Sequence, residues 1–262
     1  MIGIFDSGLG GLTALREARR IMPNADFIYF GDTGRVPYGS RSNDTIVRYA
    51  TQIMHFMAEM RVDAALAACG TVSSVALESL RSFCHIPLIG VVEPTAKAAA
   101  AATKNGRIGV IGTGATIKSG AFERALARIS PDIKAIGEAC PLFVPLVENG
   151  FIQADDAVTL EVARRYLAPI DAFGADTLIL GCTHFPIIAE SIKRTLPDVT
   201  LINSGREAAL ALSEAAPAHS LEGHGSLTCY VSDNPENFRD VASIFLGERF
   251  DAPICKIDIE RY

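Results

Sequence analysis

A chain of 262 residues can form one large α/β unit or two smaller ones, each with a sizeable core. Hydrophobic residues make up 49% and charged residues 21%, and no apolar run approaches the ~20 residues of a membrane span, so a globular protein that does not cross a bilayer is expected. The net charge of −6, with no Lys/Arg run, argues against a nucleic-acid surface.

The chain opens directly on a strand, with no basic leader and no cleavage site, which points to a cytoplasmic protein. In a reducing compartment Cys69, Cys84, Cys140, Cys182, Cys229 and Cys255 are expected as free thiols. There is no CxxC pair and the histidines are scattered, so no metal site is expected.

Ile2 to Phe5 forms a first apolar strand. Asp6-Ser7-Gly8-Leu9-Gly10-Gly11 follows, then a helix from Leu12 to Ile21. A strand, a glycine loop and a helix suit an anion or a carboxylate. The spacing matches neither a dinucleotide fingerprint nor a P-loop, so no nucleotide is expected. A second strand, Phe27 to Phe30, leads through Asp32 to the turn Pro37-Tyr38-Gly39-Ser40. A helix is expected over 42–60, a strand over 62–68 ending at Cys69, a helix over 73–83, and a strand from Pro87 to Val92.

The order then restarts. Arg107 to Gly114 echoes Ile2 to Gly8, and a helix is expected over 119–129. A strand near Ile133 to Gly137 runs into Cys140-Pro-Leu-Phe-Val-Pro-Leu-Val-Glu148. A long helix near 155–172 precedes the strand that ends at Cys182, and Val199 to Asn203 matches Pro87 to Val92. Four strand positions therefore occur twice in one order, an internal repeat. A helix (206–215), a strand (226–232) and a helix (235–245) end the chain. The expected architecture is two similar doubly wound α/β domains: 1–94 with 206–262, and 95–205. Ligands of such sheets bind beyond the carboxyl ends of the strands. Packed with those ends facing, the domains would present one cysteine each to a ligand between them.

Two thiols on opposite faces of one carbon suit a reaction in which a proton leaves one face and another arrives on the other. Sulfur fits, because its pKa lies nearer neutrality than that of a hydroxyl and is readily tuned. Buried cysteines also serve as small hydrophobes. The matched strand ends of Cys69 and Cys182, each followed closely by Thr71 or Thr183, favour chemistry. His184 is placed to tune Cys182 or reach a carboxylate, or else to satisfy a turn. Asp6 is placed to hold an ammonium, to set the ionisation of Cys69, or to cap the first helix. Ser7 is a cap or a carboxylate ligand. Asp32 and Glu148 are catalytic supports or solvated loop charges.

Asp6-Ser7-Gly8, Pro37-Tyr38-Gly39, Cys69-x-Thr71, the run from Cys140 to Glu148, and Gly181-Cys182-Thr183-His184 jointly resemble the cofactor-independent glutamate racemases of the aspartate/glutamate racemase superfamily. The resemblance spans residues 1 to about 205. It implies two α/β domains with the active site between them, no cofactor or metal, a homodimer, and interconversion of L- and D-glutamate for peptidoglycan. It implies that Cys69 takes the α-proton of the D-isomer and Cys182 that of the L-isomer. Asp6, His184 and Glu148 would assist. Ser7, Pro37, Tyr38, Gly39, Ser40, Thr71 and Thr183 would hold the substrate, with Thr113 and Thr116 on the second domain's side. One position departs: Gly70 stands where the family usually has asparagine. It is expected to leave a backbone amide and empty space beside Cys69, and to bear on affinity and substrate choice, with aspartate or another acidic amino acid as the alternative. A thiol hydrolase built on Cys182 and His184, and a binding module without catalysis, are rivals of other classes.

Overall fold

A computed structural model describes every residue from Met1 to Tyr262. The first unit contains β1 (Ile2–Asp6), α1 (Leu12–Ile21), β2 (Phe27–Gly31), α2 (Asn43–Glu59), β3 (Ala64–Ala67), α3 (Gly70–Val75), α4 (Leu77–Arg81) and β4 (Leu88–Gly90). After α5 (Val92–Ala102) come β5 (Arg107–Gly112), α6 (Gly114–Ser119), α7 (Ala121–Ile129), β6 (Lys134–Ala139), α8 (Phe143–Glu148), α9 (Ala157–Phe173), β7 (Thr177–Leu180), α10 (Ala189–Thr195) and β8 (Thr200–Asn203). The chain closes with α11 (Ser204–Ala215), β9 (Leu227–Val231), α12 (Pro235–Leu246) and β10 (Ile254–Lys256). No helix is long and apolar enough to cross a membrane.

Two wholly parallel sheets result. The first has the order β10-β9-β2-β1-β3-β4 and the second β6-β5-β7-β8. The run β2-β1-β3-β4 repeats the order β6-β5-β7-β8, so the internal repeat of the sequence is a repeat of topology. β3 is written Ala-Ala-Leu-Ala, a poor strand by propensity. It is a strand because β1 and β4 hydrogen-bond both its edges while helices cover both faces.

Side chains of β1 alternate between two cores, as a pleated strand requires. Ile2 and Ile4 join a large apolar cluster with Leu66, Ile108 and Ile179, so one continuous core runs from the first sheet into the second. Phe5 faces the other way, toward Phe30, Ile53 and Met57 under α2. The halves are thus joined by packed side chains as well as by the chain. α11 lies against α1, where Gly205 meets Ala14.

Several boundaries differ from the expected ones. The helix expected over 73–83 starts at Gly70, because the Cys69 carbonyl already accepts the Ser73 N–H at 2.9 Å, and it divides at Ala76 into α3 and α4. The helix expected from Ser119 starts at Ala121, since Gly120 adopts φ 63° and ends α6 first. α5 begins ahead of Pro94, and Pro145 sits inside α8. Both prolines occupy the first turn of their helix, where a missing N–H costs no helical bond. The final segment supplies the edge strand β10, paired with β9.

Ile4 lies fully buried in the central strand of the larger sheet. Ile4→Ala is expected to lower the unfolding free energy by roughly 2–5 kcal/mol in urea titrations. A loss below about 1 kcal/mol would contradict this packing.

Candidate active site

Each cysteine stands two residues past the last residue of its strand, Cys69 after β3 and Cys182 after β7. Both are buried, and both line one cleft of about 520 Å³ between the two sheets. Asp6, Ser7, Pro37, Tyr38, Gly39, Ser40, Gly70, Thr71, Thr113, Glu148, Thr183 and His184 line it with them. These groups lie up to 178 positions apart in the chain (Asp6 to His184); the facing carboxyl ends of the two sheets bring them together.

The Cys69 side is anionic. Cys69 ends β3 and leads into α3, and its thiol lies 3.4 Å from the Ser7 hydroxyl. Burial, and then the nearby Asp6 carboxylate, push the Cys69 thiol up to about 12. Asp6 is itself raised by burial, with the His184 charge and the Gly8 amide pulling the other way. One carboxylate oxygen of Asp6 accepts the Gly8 N–H at 2.9 Å, and the other is buried with no partner. Asp6 does not cap α1, whose N-cap residue Gly11 has no side-chain cap.

The Cys182 side is cationic. The His184 imidazole lies 3.9 Å from the Cys182 sulfur through Nδ1, and its Nε2 pairs with the Glu148 carboxylate at 2.9 Å. Burial alone would push His184 down. The contacts with Cys182 and Glu148 outweigh it and raise His184 to about 10. The ring is fixed further by the edge of Phe245 at 5.2 Å. As an imidazolium it donates Nε2–H to Glu148 and directs Nδ1–H at the sulfur. Glu148 reaches this place from the C-terminal turn of α8.

Thr13 ties the halves together: its hydroxyl donates to the Thr183 carbonyl at 2.8 Å. The Thr71 and Thr113 hydroxyls meet at 3.0 Å, again from opposite halves. Thr116 stands behind this pair. It is buried, it meets the Thr113 hydroxyl at 3.0 Å, and it does not line the cleft.

Asp32 does not line the cleft either. It is fully buried and accepts hydrogen bonds from Arg35 Nε at 2.7 Å, from the Ser232 hydroxyl at 2.7 Å, and from the Tyr38 hydroxyl. Arg35 stacks 4.1 Å above the Tyr49 ring. This hub holds the 37–40 turn against the first sheet and places Gly39 and Ser40 at the cleft.

The space expected beside Gly70 is not there. A Cβ added at Gly70 would overlap the carbonyl oxygen of Gly181, so the other half of the molecule fills that volume. The cleft also takes Leu9, Val36, Pro141, Val144 and Pro145, apolar residues that individual motif positions did not single out. The last three belong to the Cys140–Glu148 run, whose repeated Pro and Val, leading into and along one short helix, carried the available signal.

Residues 12–212 match the Asp/Glu/hydantoin racemase family. The chain is 44% identical over 251 residues to a protein named glutamate racemase from Geobacter metallireducens, covering 94% of this chain and 92% of that one. A namesake from Aquifex aeolicus is 44% identical over 253 residues, covering 97% and 96%. Among solved structures, a Francisella tularensis glutamate racemase in complex with D-glutamate superposes with a TM-score of 0.91 at 35% identity, covering 100% of this chain and 98% of that one. An Escherichia coli glutamate racemase, in complex with L-glutamate and the activator UDP-MurNAc-Ala, superposes with a TM-score of 0.77 at 28% identity, covering 97% and 96%.

The raised His184 pKa carries a sign for stability. A histidine held at about 10 in the fold, against an ordinary value of 6.5, contributes stability that is fully present below pH 6.5 and lost as pH rises through 10. In an NMR titration, Glu148→Gln is expected to move the His184 midpoint down by roughly one pH unit or more, and to flatten the fall of stability between those two pH values. An unmoved midpoint would assign the shift to the thiol alone.

Proposed function

The chain belongs to the Asp/Glu/hydantoin racemase family, and on that premise we propose that it interconverts L- and D-glutamate by proton transfer between two thiols. The observation that carries this is the shared cleft: Cys69 and Cys182 come from separate sheets and equivalent strand ends, and both line the same cavity. The resemblance to proteins named glutamate racemase across nearly the whole chain supports glutamate as substrate.

The electrostatic contrast supports a direction for each thiol. Cys69, held up to about 12 beside a carboxylate, enters as the protonated partner. Cys182, beside the imidazolium, takes the base role. With L-glutamate bound, the Cys182 thiolate takes the α-proton, the electron pair passes into the adjoining carboxylate, and the Cys69 thiol returns a proton to the opposite face of the same carbon. The product is D-glutamate, with a thiol at Cys182 and a thiolate at Cys69, and the reverse reaction restores the starting pair. An α-carboxylate that takes up charge needs donors. Ser7, Thr71, Thr183 and the Gly39 and Ser40 turn supply hydroxyls and amides around the cleft. The substrate ammonium supplies the partner that the buried Asp6 oxygen lacks. The His184 imidazolium faces the Cys182 sulfur, and the contact with Glu148 helps hold His184 charged. Thr113 meets the substrate from the second half, braced by Thr116.

The two units, 1–94 with 206–262 and 95–205, act as the two walls of this site. The protein works in the cytoplasm as a homodimer and supplies D-glutamate for peptidoglycan.

The test is incubation with L-glutamate, and separately with L-aspartate, in heavy water without added cofactor, following α-deuteration and optical rotation. Deuterated D-glutamate is expected, with little change in aspartate. Cys69→Ser and Cys182→Ser are each expected to slow racemisation by roughly 10²–10⁴-fold. Normal racemisation by both variants would remove the two-thiol mechanism. Turnover of aspartate in preference to glutamate would reassign the substrate.

A further inference from the structure

Burying a hydroxyl costs free energy unless it finds a partner, so a tyrosine in an apolar core marks a place where an O–H is used. Among the buried aromatic side chains, Tyr29 and Tyr38 alone carry a hydroxyl. That of Tyr38 goes to Asp32, under the 37–40 turn. Tyr29 lies in β2 opposite Ile4 of β1, with its ring in the large core, 5.9 Å from Phe238. Its hydroxyl points out of that core into the underside of the Asp6–Gly11 loop, where it donates to the Gly8 carbonyl at 2.8 Å.

Gly8 is held from both sides. Its carbonyl takes the Tyr29 proton, and its N–H donates to the Asp6 carboxylate at 2.9 Å. Gly11 closes the loop over the same point, since a Cβ there would meet the Asp6 side chain and the Tyr29 oxygen. Ser7, directly before Gly8, brings its hydroxyl to 3.4 Å from the Cys69 sulfur. Burial raises Asp6, and the His184 charge and then the Gly8, Gly11 and Ser7 amides work against it, so the shape of the loop bears on that carboxylate. Burial, and then the Asp6 charge, hold the Tyr29 phenol well above its ordinary range, so it stays a donor. Tyr29 does not line the cleft, and its influence there has to pass through the loop.

We propose that Tyr29 is a positioning residue for the Cys69 side of the cleft: its hydroxyl pegs the Gly8 main chain from beneath, and the pegged loop sets Ser7 and Asp6 where they meet a bound glutamate. The proposal rests on reading Ser7 and Asp6 as substrate contacts. Without the O–H, the Gly8 carbonyl loses its partner, and a loop with three glycines is free to take other conformations. A misplacement of about 1 Å at the reacting centre costs about 10²-fold in rate.

Tyr29→Phe keeps the ring and removes only the donor, and two readouts test it. The first is amide hydrogen exchange over residues 7–12 in the substrate-free protein, followed by mass spectrometry. The second is kcat/KM on glutamate for Tyr29→Phe, Ser7→Ala and the double variant. Tyr29→Phe is expected to exchange faster over 7–12 and to lose roughly 10- to 100-fold in kcat/KM. The double variant is expected to lose less than the product of the single losses, because part of the Tyr29 effect passes through Ser7. Ile28→Ala, the neighbour on β2 that faces the opposite core, is expected to lower the melting temperature without either change. Wild-type exchange over 7–12 in Tyr29→Phe overturns the proposal whatever its activity. An unchanged kcat/KM overturns it too, as do losses that multiply fully in the double variant. Should Tyr29→Phe not fold, Tyr29→4-fluorophenylalanine, which fills the hydroxyl's volume without donating, replaces it with the same expected outcomes. A wild type inactive on glutamate would remove the proposed reaction and leave the exchange comparison able to decide whether Tyr29 holds the loop.

Discussion

The closest approach of the two sheets governs everything else in this molecule. Each thiol is placed well within its own half, two residues past a buried strand whose neighbours fix its register. Their relation to one another depends on contacts that cross the cleft. The Thr13 hydroxyl reaches the Thr183 carbonyl, Thr71 meets Thr113, and Gly70 lies on Gly181. A continuous apolar core beneath these contacts keeps the halves from drifting. Two-sided chemistry on one carbon needs such a joint, because a proton donor and acceptor on opposite faces cannot both come from one strand end.

The same joint sets the electrostatics. Removing water from the cleft raises the cost of any unpaired charge, and the two thiols meet that cost differently. Cys69 stays protonated beside Asp6, itself held up by burial. Cys182 stands by an imidazolium that Glu148 anchors from α8. A pair of equivalent strand ends thus has a carboxyl group beside one thiol and an imidazolium beside the other. Asp6 and His184 belong to one network, since the histidine charge offsets part of the burial that raises Asp6. The Asp6 oxygen that lacks a protein partner lies buried at the cleft, where burial raises the carboxyl.

Much of this was legible in the sequence because it depends on local pattern. Short apolar runs ending in Cys69 and Cys182 read as parallel strands, and their repetition in one order anticipated two sheets of one topology. The residues that line the cleft lie mostly where glycine, proline and hydroxyl groups follow a strand. Other features are products of tertiary contact, and no local pattern encodes them. Asp32 stands at a strand end just as Asp6 does, yet Arg35, Tyr38 and Ser232 claim it for the scaffold. Ser232 comes from the far end of the chain, so nothing near Asp32 announces it. Thr116 looks like Thr113 at helical spacing, and only the helix rotation puts one in the cleft and the other behind it. Gly70 shows the limit most clearly. One missing side chain reads as vacant space in a sequence, whereas the fold spends that space on bringing a second backbone closer.

At this point backbone meets backbone, since a Cβ at Gly70 would overlap the Gly181 carbonyl oxygen. Gly181 is fixed by a strand bonded on both edges, and Gly70 by a helix whose first turn is bonded to β3 and to the chain before α5.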